Sequence, residues 1–236
     1  MGYYTYIIAA VVVMIWSFAV QANLKSKVSK GSKIRASSGI TANEVVQQML
    51  QDHEIYGITI EHKPGQMTDC YSPKEGKIYL SDTTYGQDTI SAIAIAAHEC
   101  GHAIQDKENM PLYEFRQLLA PAASIASNAG PWIVIIGVLL SAYASRSNSD
   151  IGYAISTIGI VVYFVAFLFY LVMLPVERNA SSRAYKDMKT SGWVSDDQLS
   201  LAHKVLRAAG DTYAVALASS AVTLLRLIAV RGGKRR

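Results

Sequence analysis

The chain has 236 residues, 51% of them hydrophobic and only 17% charged, with a formal net charge of +4. The charged share is below the ~25% of an ordinary soluble domain. With long apolar runs also present, this excludes a wholly soluble protein and leaves material for about one compact domain outside the membrane. The basic residues cluster beside apolar segments, which suits anionic lipid headgroups. No nucleic-acid motif or aromatic-interleaved basic patch is present, so no nucleic-acid partner is expected. Cys70 and Cys100 are the only cysteines, too few for a disulfide framework.

Tyr3 to Val20 is an uncharged apolar run about long enough to cross a bilayer, with Tyr3, Tyr4 and Tyr6 suited to the interface. Residues 1–22 are therefore expected to be an N-terminal transmembrane anchor. A signal peptide would need a basic n-region, which is missing. Lys25, Lys27, Lys30, Lys33 and Arg35 follow the run, so the positive-inside rule puts the residues after about 23 in the cytoplasm. Ser29 to Ser38 reads as a linker or a loop on lipid headgroups. Thr41-Ala-Asn-Glu44 is a capping box that opens a helix to about His53. Ile58 to Glu61 and Lys77 to Leu80 read as short strands, with a turn at Pro64-Gly65. Lys77 to Leu80 is the candidate edge for an added peptide strand; the competing reading is a small sheet that only covers the next helix. His53 and His62 lack a second ligand at helical spacing and read as surface or local structure.

Asp88 or Thr89 is expected to cap a helix that runs to about Lys107 and is rich in Ala and Ile, hence buried on most sides. It contains His98-Glu99-Cys100-Gly101-His102, the spacing H-E-x-x-H. Residues four apart share a helix face, so both imidazoles can address one ion, with Glu99 one step round. Two nitrogen ligands beside a carboxylate that can take a proton from water is the arrangement of a zinc hydrolase. The bland alternative, a hydrogen-bonded pair of core histidines, leaves two His and one Glu in an apolar helix at a cost. Cys100 faces away from the His face and reads as a small core residue. Gly101 allows a close approach of another helix or of substrate, or is simply tolerated at a cost of ~1 kcal/mol.

Pro111 opens a further helix. Ala120 to Ala144 and Ile151 to Leu174 form a transmembrane hairpin, with a tight polar turn over Ser145 to Asp150 outside and Pro131 as a kink or the true start of the first span. Both flanks of the hairpin then lie on one side. Pro175 is acceptable in the first turn of a new helix. Ser195-Asp-Asp-Gln198 is a capping box for a helix to about Ala209. Thr212 to Val230 is apolar and either spans or lies in plane, ahead of a basic tail.

A catalytic zinc usually has three protein ligands. Glu108, Glu114, Glu177 and His203 are candidates for the third. Glu108 is too near His102 on the same helix, Glu114 faces an uncertain direction, and His203 stands in a basic, exposed helix. Glu177 sits at the bilayer boundary on the side of the two His, and Ala180 and Ala184 would let its helix pack closely. Glu177 is the expected ligand, a role compatible with the helix N-terminus it is placed at.

The anchor, the run Ala97-His98-Glu99-Cys100-Gly101-His102-Ala103-Ile104-Gln105, the hairpin and the run Leu174-Pro175-Val176-Glu177-Arg178-Asn179-Ala180-Ser181 together resemble the bacterial YugP-like family of neutral zinc metallopeptidases over nearly the whole chain. The layout also resembles membrane-embedded gluzincin proteases related to the CAAX-prenyl protease, in which a Glu on a later helix completes the site. Glu177 matches that Glu by position. Those relatives carry an Asp four residues later; here the position is Ser181, so its orienting role is unfilled or supplied elsewhere.

The expected fold is a mainly α membrane protein with a small α+β zincin-like metallopeptidase domain built on the H-E-x-x-H helix. The expected divisions are an anchor (1–22), a zincin-like domain (23–119), a transmembrane hairpin (120–174), a helical segment supplying the third ligand (175–210), and a C-terminal apolar helix with its basic tail (211–236). The expected activity is that of an integral-membrane zinc metalloendopeptidase in a bacterial cell membrane, its catalytic domain cytoplasmic. His98, His102 and Glu177 hold one Zn²⁺ per chain and Glu99 is the general base. Tyr213, Arg183 and His203 are candidate second electrophiles. The implied partners are the lipid bilayer and a peptide or membrane-protein substrate. One alternative is a membrane scaffold with a structural zinc site, which has no need of Glu99. Another, a transporter, lacks the acidic or His residue expected in mid-span.

Overall fold

The computed structural model describes residues 3–143 and 149–232. In chain order they form α1 (Tyr3–Gly31), α2 (Ala42–Asp52), β1 (Thr59–His62), β2 (Cys70–Ser72), β3 (Lys77–Leu80), α3 (Ile90–Lys107), α4 (Pro111–Tyr143), α5 (Ser149–Ser191) and α6 (Asp196–Gly232). α1, α4, α5 and α6 are each long and apolar enough to cross a membrane. The chain divides into two compact units, an apolar one of Met1–Ser17, Phe115–Leu174 and Tyr213–Arg236, and a sheet-containing one of Phe18–Glu114 and Pro175–Thr212.

Several helices are longer than their sequence signals. α1 runs on to Gly31, into the stretch expected to be a linker. Pro121 and Pro131 lie inside α4, and Pro175 lies inside α5 instead of opening a new helix. A proline there removes one N–H from the helical ladder, a loss that apolar spanning helices tolerate through neighbouring helices and local adjustment. α6 likewise continues past Ala209 to Gly232 without a break. The tight turn expected over Ser145 to Asp150 falls, up to residue 148, outside the described residues, as does the tail beyond residue 232.

In the apolar unit the hairpin helices meet through glycine. Gly130 and Gly137 stand seven residues apart on α4, and Gly152 and Gly159 seven apart on α5, so each pair shares a face. A Cβ on Gly130 would stand 2.8 Å from Tyr163 Cβ, and one on Gly159 2.7 Å from the Val134 nitrogen. One on Gly137 would press on the Ser156 backbone nitrogen. Small residues of this kind let backbones approach where lipid offers no hydrophobic drive for association. α6 lies along the hairpin: Leu227 packs with Val134 and Tyr163, and the Arg231 guanidinium sits 4.0 Å from the Tyr153 ring centroid near the start of α5. Within this unit the end of α6 therefore lies beside the start of α5.

In the sheet-containing unit, local sequence chemistry sets the helix starts. Thr41 N donates to Glu44 Oε2 at 2.8 Å while Glu44 N donates to Thr41 Oγ1 at 3.3 Å, completing the capping box of α2. Thr89 is the N-cap of α3, its hydroxyl accepting from Ala92 N. Fourteen of the eighteen residues of α3 are buried. Around them pack Val45, Val46, Met49 and Leu50 of α2, Ile78 and Leu80 of β3, Ala184 and Met188 of α5, and Leu199, Val205 and Leu206 of α6. Each large aliphatic side chain so buried contributes about 1.5–3 kcal/mol. His53 pairs with Asp187 of α5 at 2.8 Å, 134 residues away in sequence, and His62 with Asp82 beside the sheet at 2.7 Å.

The sheet corrects the expected edge. Its order is β1-β3-β2, so Lys77 to Leu80 is the central strand, parallel to β1 and antiparallel to β2. A central strand has both sides hydrogen-bonded and cannot accept an added peptide. β2, only three residues long, is too short to show period-two alternation in the sequence.

Gly137→Leu should lower the thermal unfolding midpoint in detergent, since overpacking costs typically about 1–3 kcal/mol. Gly210→Ala, which meets nothing within 4 Å, should raise it, because an interior helical Gly costs ~1 kcal/mol. An unchanged midpoint for Gly137→Leu would contradict the glycine-mediated contact.

Candidate metal centre

α3 presents His98 and His102 one turn apart, their rings edge to face with centroids 4.9 Å apart. α5 brings Glu177 to them. Glu177 Oε2 lies 3.2 Å from His98 Nε2 and 3.5 Å from His102 Nε2. One ligand atom from each of the three residues falls within 4.8 Å of the others. Glu177 is 1% exposed and His102 6%, so the cluster is withdrawn from water.

The approach of α5 depends on Gly101. A Cβ at that position would stand 2.6 Å from the Ala180 carbonyl oxygen and 3.0 Å from Ala180 Cα. Of the uses open to Gly101, the close helix approach is therefore the one the fold makes. Ala180 and Ala184 are fully buried along the same face of α5.

A hydrogen-bonded chain behind the histidines determines which nitrogen holds the proton. Gln105 Nε2 donates to the Val176 carbonyl at 2.8 Å and to Asn179 Oδ1 at 2.9 Å. A carbonyl can only accept, so the amide orientation of Gln105 is settled. Its Oε1 then faces His102 Nδ1 at 2.9 Å, which must be the donor. His102 Nε2 is left with its lone pair toward Glu177. Asn179 is oriented in turn by Arg183 Nε at 2.7 Å. The Arg183 guanidinium makes two bonds to the Glu108 carboxylate, at 2.8 and 2.6 Å, and these hold the Glu108 carboxyl below its usual range. On His98, the Ser181 hydroxyl stands 3.1 Å from Nδ1. The orienting role is expected from sequence to be unfilled or supplied elsewhere; the residue that stands at His98 Nδ1 is Ser181 itself. Tyr113, 1% exposed, stacks on the His102 ring at 6.0 Å.

Glu99 is buried beside these residues, and its Oε2 accepts from the backbone N–H of Tyr71 at 3.0 Å. The Tyr71 hydroxyl donates to Asp106 Oδ2 at 2.8 Å, so β2 is stitched to α3 at two points, two turns apart. Burial and the Asp106 carboxylate push the Tyr71 phenol up, keeping it protonated. The outward amide of this edge strand is therefore already engaged.

The other candidates lie elsewhere. Glu108 is paired with Arg183, Glu114 is exposed, and His203 is exposed with its ring against Tyr185 at 5.0 Å. Arg183 is committed to Glu108 and Asn179. Tyr213 belongs to the apolar unit. Cys100 is fully buried, and burial pushes its thiol well up. Both cysteines are free thiols. Gln105, Asn179 and Tyr71 had no role assigned from sequence. The only signal for Gln105 is its place three residues after His102, on the same face.

The donor set fits a divalent ion. His102 Nε2 and the Glu177 carboxylate converge as lone pairs in a buried site, and His98 Nε2 joins them. Such an arrangement is repulsive without a cation between, whether added protons or a metal. Two imidazoles and one carboxylate match the three protein ligands of a catalytic zinc.

Comparisons with known proteins agree with this chemistry. The profile of the family described as "Putative neutral zinc metallopeptidase" matches residues 6–232. The chain is 36% identical over 214 residues to the "Putative membrane protease YugP" of Bacillus subtilis (strain 168), covering 91% of each chain. No solved structure matches.

Ser181→Ala should weaken zinc binding by about 10–100-fold, the usual effect of losing a residue that orients a ligand. Gly101→Ala should weaken it further, because α5 and Glu177 must move away. Competition titration with a zinc chelator reads both. Wild-type affinity in Gly101→Ala would contradict the role of the helix contact.

Proposed function

Since the chain belongs to the neutral zinc metallopeptidase family, we propose that it is an integral-membrane zinc-dependent endopeptidase whose centre is His98, His102 and Glu177, within a zincin-like fold of the sheet-containing unit. The observation that carries this reading is the convergence of the three donors, with the His102 proton held on Nδ1 by Gln105. One Zn²⁺ per chain would be held there, supplying Lewis acidity toward a peptide carbonyl and lowering the pKa of a water to about 7.

The chain's own residues do the rest. Glu99 is the general base, taking a proton from the attacking water and returning it to the leaving amine. Its carboxylate is held by the Tyr71 amide, which leaves the second oxygen for the proton. Gln105 keeps the His102 proton on Nδ1, so the His102 Nε2 stays a ligand lone pair, and the Ser181 hydroxyl engages Nδ1 of His98. The buried, apolar wall of α3 keeps bulk water from the site, which strengthens each of these charge interactions. The scaffold alternative gives Glu99 no task. Lys25, Lys27, Lys30, Lys33 and Arg35 after the first apolar run favour a cytoplasmic site. The substrate is a peptide segment, soluble or from a membrane protein.

Purified wild type should hold about one zinc per chain. His98→Ala should lose it and Glu177→Ala should bind it weakly. Glu99→Gln should keep the zinc yet lose about 10²–10⁴-fold in peptide hydrolysis. Undiminished turnover by Glu99→Gln would end the general-base assignment, and a metal-replete wild type without zinc would end the peptidase reading.

A further inference from the structure

A cavity of about 360 Å³ opens between α5 and α6 within the sheet-containing unit. α5 contributes Arg178, Ser181, Ser182 and Tyr185, which share a helical face, and α6 contributes His203 and Arg207 from successive turns. Apart from Ser181, none of the residues that line this cavity has a part in the peptidase chemistry above. Arg183, between Ser182 and Tyr185 in sequence, faces the other way and is spent on Glu108.

The cavity is polar and positively charged. Among the described residues no carboxylate forms an ion pair with Arg178 or Arg207, and both are exposed. Two guanidiniums without ion pairs on facing helices give the cavity a positive potential that favours an anion. Guanidinium is the group suited to bidentate binding of phosphate oxygens. The hydroxyls of Ser182 and Tyr185 are further donors in the same wall. His203 is held over the cavity by its contact with the Tyr185 ring at 5.0 Å. One acid, Asp211, also lines the cavity, one turn after Arg207 on α6, and among the described residues it forms no ion pair. It reduces the net charge without cancelling it, and it is an acceptor for a hydroxyl on the ligand.

The place of the cavity along its helices adds a second argument. Arg178 follows the apolar run Ile151 to Leu174 by four residues, about 6 Å along one continuous helix at 1.5 Å per residue. Asp211 precedes the apolar stretch of α6 by about as little. Phosphates of a bilayer lie just outside its hydrocarbon core, where Arg and Lys at helix ends meet them.

We propose that this cavity is a binding site for glycerophosphate, filled by the headgroup of an anionic phospholipid, with Arg178 and Arg207 on the phosphate and Asp211 on a glycerol hydroxyl. The same chemistry would admit a free phosphate ester. Ser181 lines the cavity and also reaches His98 Nδ1, so the occupant sits one hydroxyl away from a residue of the metal centre. The site stands or falls independently of peptidase activity.

The test uses the full chain, delipidated in a zwitterionic detergent and titrated with dioleoylphosphatidylglycerol or dioleoylphosphatidylcholine, with bound lipid counted by native mass spectrometry. Wild type should bind one phosphatidylglycerol in preference to phosphatidylcholine. The double variant Arg178→Gln/Arg207→Gln should bind it about tenfold or more weakly, the loss expected for charge-assisted hydrogen bonds. Lys74→Gln/Lys189→Gln, which removes exposed charge outside the cavity, should match wild type. Arg207→Gln alone should show a partial loss and serves where the double variant does not fold. Soluble glycerol phosphate and inorganic phosphate form the second arm. If either displaces the lipid from wild type at millimolar levels, the free ester is also a ligand; if neither does, the acyl-anchored lipid is the occupant. Phosphatidylglycerol affinity within about twofold of wild type in the double variant, or an equal loss in the lysine control, would overturn the site.

Discussion

The contact between Gly101 on α3 and Ala180 on α5 is the constraint on which the rest of the site depends. With no side chain at Gly101 and only a methyl at Ala180, the two backbones come close enough for Glu177 to reach across to His98 and His102. The same proximity lets Gln105 bond the Val176 carbonyl and Asn179, and lets Ser181 reach His98. Ligand, orienting residues and helix contact thus come from two facing helical stripes. Moving the helices apart by the width of one methyl group would disturb all of them together, because packed interiors transmit small volume changes.

The polar residues behind the ligands form a directed chain. Glu108 fixes Arg183, Arg183 and Gln105 fix Asn179, and the Val176 carbonyl fixes Gln105. Each link removes a choice of rotamer or amide flip from the next. The end result is a His102 whose proton lies on the side away from Glu177. Buried polar networks of this type are costly when half satisfied. Here each of these links has a donor facing an acceptor, and the network closes on a surface ion pair where water can complete Glu108.

How much of this was legible in the sequence depends on range. The H-E-x-x-H helix, its cap at Thr89, the capping box at Thr41 and the apolar runs are local patterns and were readable. So was the layout that puts Glu177 within reach, since the hairpin has to return to the side it left. The order of the sheet was not readable, because pairing β1 beside β3 skips β2 and needs tertiary contacts. The continuity of α5 through Pro175, and of α6 past Ala209, runs against local signals and is sustained by packing. Gln105, Asn179 and Tyr71 carry no motif of their own. Gln105 reaches His102 only three residues away, but its amide is fixed by Val176, 71 residues away, and Asn179 and Tyr71 meet Gln105 and Glu99 across 74 and 28 residues.

The separation of the ligands has a consequence for how the protein is made. His98 and Glu177 are 79 residues apart, and the apolar hairpin lies between them. A ribosome-bound chain that has just exposed the two histidines holds only a helix with a pair of imidazoles. The carboxylate arrives after both hairpin helices have been synthesised and, in a cell, handed to the bilayer. The centre is therefore the last part of this unit to be completed: its donors wait on a helix that is made only after the whole apolar hairpin.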